Sequence, residues 1–449
     1  MTKQAVDPPE SIAQRAVDFA LRAGADACDA ICVAGRSKSV SVREGEIEDI
    51  DSSDGCDLGL RVLTGKSQAV VSTSKFDTDE LKVLAERAVA MAQVAPADQN
   101  NGLADPRDLA GDVPDLDLAD DSELTADDLL DLALAAEGAG RSLEGVSASA
   151  GAGAHAARRT IALAASNGFS GHYSKTGYSI SAAMIAGAGT KMVRDYDYHS
   201  VLHLADLSVP AEIGKSAGER TARRANPKKV ESQTVPVVFE QRIAGTLLNH
   251  FAGAINGNAI ANQTSFLNSA MDQQVFCDGV TVVDDGRMPR GHGSKPFDAE
   301  GLATGSRAVI DNGILRSWLL DLYSSRQLGL ASTGNAARST SGRPGPSATN
   351  LNMQPGTVSP VELIAGAKKG FLVTELIGMG VNSVTGDYSR GASGFWILDG
   401  EVTYPVSEIT IAGNLKDMYL NLTPANDLII RGATNAPTCM IGEMTIAGR

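Results

Sequence analysis

Few side chains in this sequence could carry catalysis. The histidines are His155, His172, His199, His203, His250 and His292. His199 and His203 stand four apart, the spacing that on a helix would let two imidazoles share an ion. The surrounding RDYDYHSVLHLADL alternates as a strand does, however, and residues four apart on a strand lie about 13 Å from each other. Asp284 and Asp285 offer a carboxylate pair for acid–base work, but consecutive strand-end residues point in opposite directions and Asp is favoured before a turn glycine, here Gly286. Cys28 and Cys32 sit inside the apolar ACDAICVAG and read as small core residues of a strand. GLRVLTGKS approaches a phosphate-binding loop, yet Gly59 and Gly65 are one residue too far apart and the segment reads as strand, turn, strand. No G-x-G-x-x-G follows a strand and no G-x-S-x-G elbow exists, so dinucleotide binding and serine-hydrolase chemistry lack support.

His250 belongs to VVFEQRIAGTLLNHFAGAINGNAI, Val237 to Ile260. A short apolar run leads into Ile243, Leu247, Leu248 and Phe251 at helical spacing, which predicts a buried helix. There His250 is either a general base or a hydrogen-bonded core histidine. A zinc peptidase would put two His about one turn apart on such a helix, with a Glu to activate the metal's water. This helix carries Asn249, His250 and Ala254 instead.

The elements that must position that helix form an α+β chain long enough for two or three cores. Residues 1–227 read as an N-terminal α+β domain, sandwich-like, and 228–449 as a mainly antiparallel β domain containing the helix. In the first, a helix over Pro9 to Ala23 precedes strands at about 27–33 and 39–44, and GLRVL meets QAVVSTS across Thr64-Gly65-Lys66. Asp77 with Glu80, and Thr125 with Asp128, start two further helices. Between them, residues 96–123 are rich in Asp, Pro, Gly and Asn and read as a surface crossing. Strands at about 145–154, 160–166, 170–188 and 190–197 follow, then a helix over Pro210 to Arg224. In the second domain Asp285-Gly286, Asn312-Gly313 and Asp399-Gly400 are hairpin signals. Residues 332–356 turn to Ser, Thr, Asn, Gly and Pro, an extended or mobile loop suited to a lid or a partner contact.

Composition narrows the partners. Hydrophobic residues make up 43% and the formal net charge is −15, which argues for a globular chain and against nucleic acid or an anionic membrane. The basic run Arg220, Arg223, Arg224, Lys228 and Lys229 reads as a solvated face. No apolar run approaches the roughly 20 residues that span a bilayer. The polar MTKQAVDPPESIAQ and five scattered cysteines suit reduced thiols in the cytoplasm.

The C-terminal half resembles the TldD/PmbA family, in its PmbA (TldE) branch. VTVVDDG (280–286), TNLNMQPG (349–356), the long TGDYSRGASGFWILDGEVTYPVSEITIAGNL (385–415) and MIGEMTIAG (440–448) carry the likeness. The resemblance implies a two-chain zinc peptidase in which the TldD branch holds the metal through H-E-x-x-x-H and a later Cys. Laid on this sequence, the first His falls on Asn249, the Glu on His250 and the second His on Ala254, while Cys439 does not align with the metal-binding Cys. The expectation is therefore a non-catalytic subunit, with no metal-ligating or catalytic residue of its own and zinc in a TldD-type partner. Asn249, His250 and Phe251 are the expected lining of a cleft for an unfolded peptide. A heterodimer is expected, with a homodimer as the alternative assembly. Two other functions stay open: a peptidase active alone, using His250 or no metal, and a binding or regulatory protein without proteolytic role.

Overall fold

The computed structural model describes residues 7–111 and 113–448. Residues 1–6 of the polar N-terminus, Asp112 in the crossing and Arg449 lie outside the described residues.

The first half runs α1 (Pro9–Arg22), β1 (Ala27–Arg43), β2 (Glu46–Thr64), β3 (Ser67–Thr73), α2 (Thr78–Val94), α3 (Ala126–Arg141), β4 (Ala148–Ala165), β5 (Ser170–Ala186), β6 (Val193–Val201) and α4 (Pro210–Arg223). Both helix starts read from capping residues form as expected. The Asp77 side chain accepts from the Glu80 N–H, and Thr125 and Asp128 close a capping box. The six strands make one antiparallel sheet in the order β3-β2-β1-β4-β5-β6.

Two expected breaks in this sheet are absent. Residues 34–38 and 155–159 continue β1 and β4 without interruption, because Gly35 to Lys38 pair on one side with Gly55, Asp54, Ser53 and Ser52 and on the other with 156–159. Long polar strands hold where both neighbours supply ladder bonds. Strand alternation then divides the sheet's faces. Cys28, Ala30 and Cys32 pack with Ile12, Ala16 and Leu84 of α1 and α2. Ile31, on the opposite face, packs with Leu163 and with Phe297 of the second half.

The second half runs β7 (Gln233–Phe239), α5 (Gln241–Ala254), α6 (Gly257–Ala261), β8 (Val282–Asp285), β9 (Ser306–Asp311), β10 (Ile314–Leu315), α7 (Leu322–Leu328), β11 (Ala336–Ala337), β12 (Gly345–Pro346), β13 (Leu351–Met353), α8 (Pro360–Ala367), β14 (Lys369–Ile377), β15 (Asp387–Leu398), β16 (Glu401–Asn414), α9 (Leu415–Leu420), β17 (Leu422–Pro424), β18 (Thr434–Asn435) and β19 (Cys439–Ala447). Strands β16-β15-β14-β7-β19 form a sheet that closes on itself through β16–β19, a barrel with β17 at its side. A second sheet has the order β10-β9-β8-β13-β18. Most pairs are antiparallel, but β7–β14 and β13–β18 are parallel. The core joins Val237 and Phe239 of β7 to Leu247, Leu248 and Phe251 of α5, and to Phe371, Trp396, Ile411 and Ile441 of the barrel strands.

Asn312-Gly313 and Asp399-Gly400 are tight hairpins with positive φ at both turn residues. Asp285-Gly286 is not, since β8 pairs with β9 only after the long excursion over 286–305. Residues 332–356, expected as an extended or mobile loop, are extended and pinned between the two halves. Arg338 pairs with Asp29 of β1, and a Cβ placed on Gly59 of β2 would lie 2.0 Å from the Thr340 carbonyl oxygen. The crossing at 96–123 runs over the surface as read, but it is fastened at several points. Leu116 and Leu118 are buried, and Arg326 donates to the carbonyls of Asn100, Gly102 and Leu103.

Candidate functional site

Strand β7 is an inner strand of the barrel wall and ends at Phe239, and α5 starts two residues later, with its apolar side in the core shared by the barrel strands and the second sheet. Ile243, Ala244, Leu247, Leu248, Phe251 and Ala254 form its buried side, which fixes its rotation about its axis. That rotation decides where the expected site residues go. Asn249 is exposed and His250 half-buried. Ala254 is 3% exposed, and its carbonyl accepts from the Ser265 hydroxyl at 2.6 Å.

Phe251 does not line a cleft. It is fully buried, edge-on to Phe276 (centroids 5.2 Å) and to Tyr419 (6.1 Å). A residue one turn from Leu247 and Leu248 falls on the same apolar stripe, so its place in the core follows from the helix period.

Two residues not singled out in the sequence complete the neighbourhood of His250. Tyr388 of β15 meets the imidazole edge-to-face with centroids 6.0 Å apart. Arg390, also on β15, lowers the affinity of His250 for a proton through its charge. Both belong to the long motif that begins TGDYSRG, so the signal was in view without a role attached. His250 Nε2, Tyr388 Oη and Arg390 Nε are each buried without a hydrogen-bond partner. Burial, then Arg390, holds His250 below its ordinary pKa, so the imidazole is neutral at pH 7. Burial drives the Tyr388 phenol above its ordinary range, so it remains a donor.

This arrangement does not suit a metal ion. A catalytic zinc needs three protein ligands plus a water. Ala254 has no donor atom, and a side-chain amide with one imidazole is a poor substitute. Among the described residues no three His, Cys, Asp or Glu side chains group to hold an ion. Cys439 is fully buried, its thiol donates to the Pro437 carbonyl at 3.1 Å, and burial followed by Asp427 pushes its pKa up, which disfavours the ligating thiolate.

The remaining candidates are structural. His199 Nδ1 accepts from the Ser208 N–H at 3.1 Å, whereas His203 Nε2 donates to the Asp117 carbonyl at 2.9 Å, so the two imidazoles serve different loops. Asp284 is buried and accepts from Thr349 and Asn335, while Asp285 accepts from the Arg287 N–H. Cys32 Sγ lies 3.4 Å from Cys56 Sγ rather than against Cys28. The basic run is a solvated face only in part: Arg223, Lys228 and Lys229 are exposed, whereas Arg220 is half-buried and Arg224 buried. Arg220 pairs with Glu240 at the start of α5, and Arg224 at the end of α4 pairs with Asp195 of β6 and Glu375 of β14, while Lys229 and Glu408 form an exposed pair at 2.7 Å. No helix among the described residues is long and apolar enough to cross a membrane.

Comparison with known proteins gives a consistent set of relatives. Residues 28–92 match PmbA/TldA metallopeptidase domain 1, residues 119–225 the central domain, and residues 232–448 the C-terminal domain. The Escherichia coli O157:H7 metalloprotease PmbA is 35% identical over 99% of this chain and 98% of its own. A metalloprotease PmbA homologue from Haemophilus influenzae is 36% identical over 96% and 94%. Among solved structures, a Bacteroides thetaiotaomicron protein described as a candidate modulator of DNA gyrase superposes with a TM-score of 0.90, at 29% identity, over 99% of this chain and 100% of that one. TldE from Thermococcus kodakarensis shares the fold, with a TM-score of 0.86 at 20% identity over 97% and 99%.

Proposed function

Since this chain belongs to the PmbA/TldD metallopeptidase family, we propose that it serves as the metal-lacking subunit of a two-chain zinc peptidase that cleaves short or unfolded peptides. The observation that carries this reading is the composition of one helix face. Where a catalytic ion would be gripped, α5 presents an exposed amide, a neutral imidazole and a buried methyl group. Such a face can shape a chamber but cannot activate water. The zinc and its general base then belong to a TldD-type partner chain, and Asn249 and His250 border the space that the substrate enters. Free cysteines throughout fit assembly in the cytoplasm.

Substrate binding through an added strand fits the topology. β3 pairs with β2 only across Leu58–Thr64, so residues 46–57 of β2 leave one edge unpaired. An extended peptide there would be held by main-chain hydrogen bonds with little sequence preference. Affinity that survives proline substitutions along the peptide backbone would exclude this mode.

The deciding experiment purifies the chain alone, measures bound zinc, and assays cleavage of an unfolded peptide with and without a TldD-type partner. Little zinc and cleavage only in the mixture are expected, together with a mixed species in size-exclusion chromatography. Stoichiometric zinc with chelator-sensitive hydrolysis by the isolated chain would overturn the proposal.

A further inference from the structure

The junction between the two halves holds a cavity of about 230 Å³ that the peptidase reading does not use. One wall is the open face of the N-terminal sheet, with Ile31 and Val33 of β1, Ile161 and Leu163 of β4, and Tyr173 of β5. The facing wall comes from the second half and carries Lys295, Phe297 and Arg338. Phe297 stands edge-on to Tyr173 at 5.4 Å, so the apolar part of the lining is a packed surface rather than a loose gap.

The charges around this cavity do not balance. Three basic side chains line it, Arg159, Lys295, whose pKa burial lowers, and Arg338, against the carboxylate of Asp298 in the lining and that of Asp29 behind Arg338. Asp298 is already occupied by the backbone N–H groups of Glu300, Leu302 and Ala336. The Arg338 side chain is 1% exposed and gives one nitrogen to Asp29, while its Nε and Nη2 have no partner. Asp29 is shared between two guanidinium groups, since its other oxygen accepts from Arg61. Nearby, burial first, and then Arg159 and Lys295, push Lys175 down to about 8.

Buried N–H groups of a guanidinium without partners are costly, and an apolar wall next to them is what an amphipathic anion matches. We propose that this cavity binds a small carboxylate bearing a branched apolar or aromatic group, with the carboxylate on Arg338 and Lys295 and the apolar body against Ile31, Val33 and Ile161. The volume suits a group about the size of one amino-acid residue. A peptide C-terminus and a free monocarboxylic acid present the same chemistry.

Isothermal titration calorimetry on the full chain, without any partner subunit, tests this with N-acetyl-leucine, isocaproate and N-acetyl-leucinamide. Both acids are expected to bind and the amide is not. Binding of N-acetyl-leucine alone would identify a peptide end as the ligand, and binding of both acids would extend the site to free acids. Arg338→Gln is expected to weaken the acids roughly tenfold or more through loss of a charged hydrogen bond. Val33→Trp fills the cavity from a half-buried strand position, should abolish binding at an unchanged melting temperature, and decides the matter if the arginine variant does not fold. Equal binding of the amide, no binding of either acid, or full binding by a folded Val33→Trp would overturn the assignment. None of these readouts depends on zinc or on peptide cleavage.

Discussion

Arg338 and Asp29 lie 309 positions apart in the chain, and their ion pair is buried, with side chains 1% and 3% exposed. It joins the β11–β12 loop to the first strand of the N-terminal sheet. Burial alone would raise the Asp29 carboxyl, but Arg338 and Arg61 outweigh it and hold it below the usual carboxylate range. The pair thus couples the docking of the two halves to one charged group.

Asp29→Asn removes that charge and leaves two guanidinium groups facing a neutral amide. Breaking a buried pair from one side costs about 3–5 kcal/mol. The folded pKa of Asp29 is depressed, so its contribution is present above the unfolded value and is lost as pH falls through the folded one. Urea denaturation at neutral pH should show the loss, and the variant's stability should depend less on pH on the acid side than that of the parent. A destabilisation within error of zero would mean that the pair is not closed in solution.

Gly59 and Gly55 provide a matched contrast on β2. A Cβ at Gly59 would lie 2.0 Å from the Thr340 carbonyl oxygen, whereas one at Gly55 meets nothing within 4 Å. Gly59→Ala should therefore cost about 1–3 kcal/mol by forcing the loop away from the sheet. Gly55→Ala should be neutral or slightly stabilising, because it only restricts the unfolded chain. Equal melting temperatures for the two variants would show that the loop is not seated on β2.

What the sequence made legible was local. Asp77 with Glu80, Thr125 with Asp128, Asn312-Gly313 and Asp399-Gly400 each act through backbone atoms two or three residues away, and each formed as read. The failures were tertiary. The polar stretch Gly35 to Lys38 resembles a loop unless both neighbouring strands are known, and the loop bearing Arg338 resembles a lid unless Asp29 is known to meet it. At the site, α5 and its apolar stripe followed from the 3.6-residue period, but the same period places Phe251 in the core. Tyr388 and Arg390 reach His250 only because β15 lies in the same barrel.

His250 should make the fold sensitive to acid. Its folded pKa is depressed, by burial first and Arg390 second, so the unfolded chain takes up a proton that the folded chain resists. Stability is therefore expected to fall as pH drops below about 6.5, the ordinary imidazole value, and to level off once the folded form also protonates. His155, His199 and His292 are shifted in the same direction by burial, so the useful quantity is a difference. Melting temperatures measured from about pH 7 to about pH 5 should fall less steeply for His250→Gln than for the parent. Parallel curves would place His250 in solvent.

If α5 is the metal-lacking counterpart of a zinc helix, as proposed, Ala254 decides whether such a site would merely lack ligands or has been filled in. The side chain is 3% exposed within the main core, and the residue's own carbonyl takes the Ser265 hydroxyl, so the volume a second imidazole would need is occupied by packed neighbours. Overpacking of this kind costs about 1–3 kcal/mol. Ala254→His alone is expected to lower the melting temperature. The triple variant Asn249→His, His250→Glu and Ala254→His restores the helix ligands but still lacks a third protein donor, because Cys439 is committed to Pro437 as a buried thiol. A site with two ligands binds zinc weakly, so added zinc should recover little of the lost stability, and the variant should not cleave peptide without a partner. If instead Ala254→His is neutral and zinc raises the melting temperature of the triple variant by as much as a structural ion would, the chamber has kept its shape for a metal and the loss lies in the side chains alone.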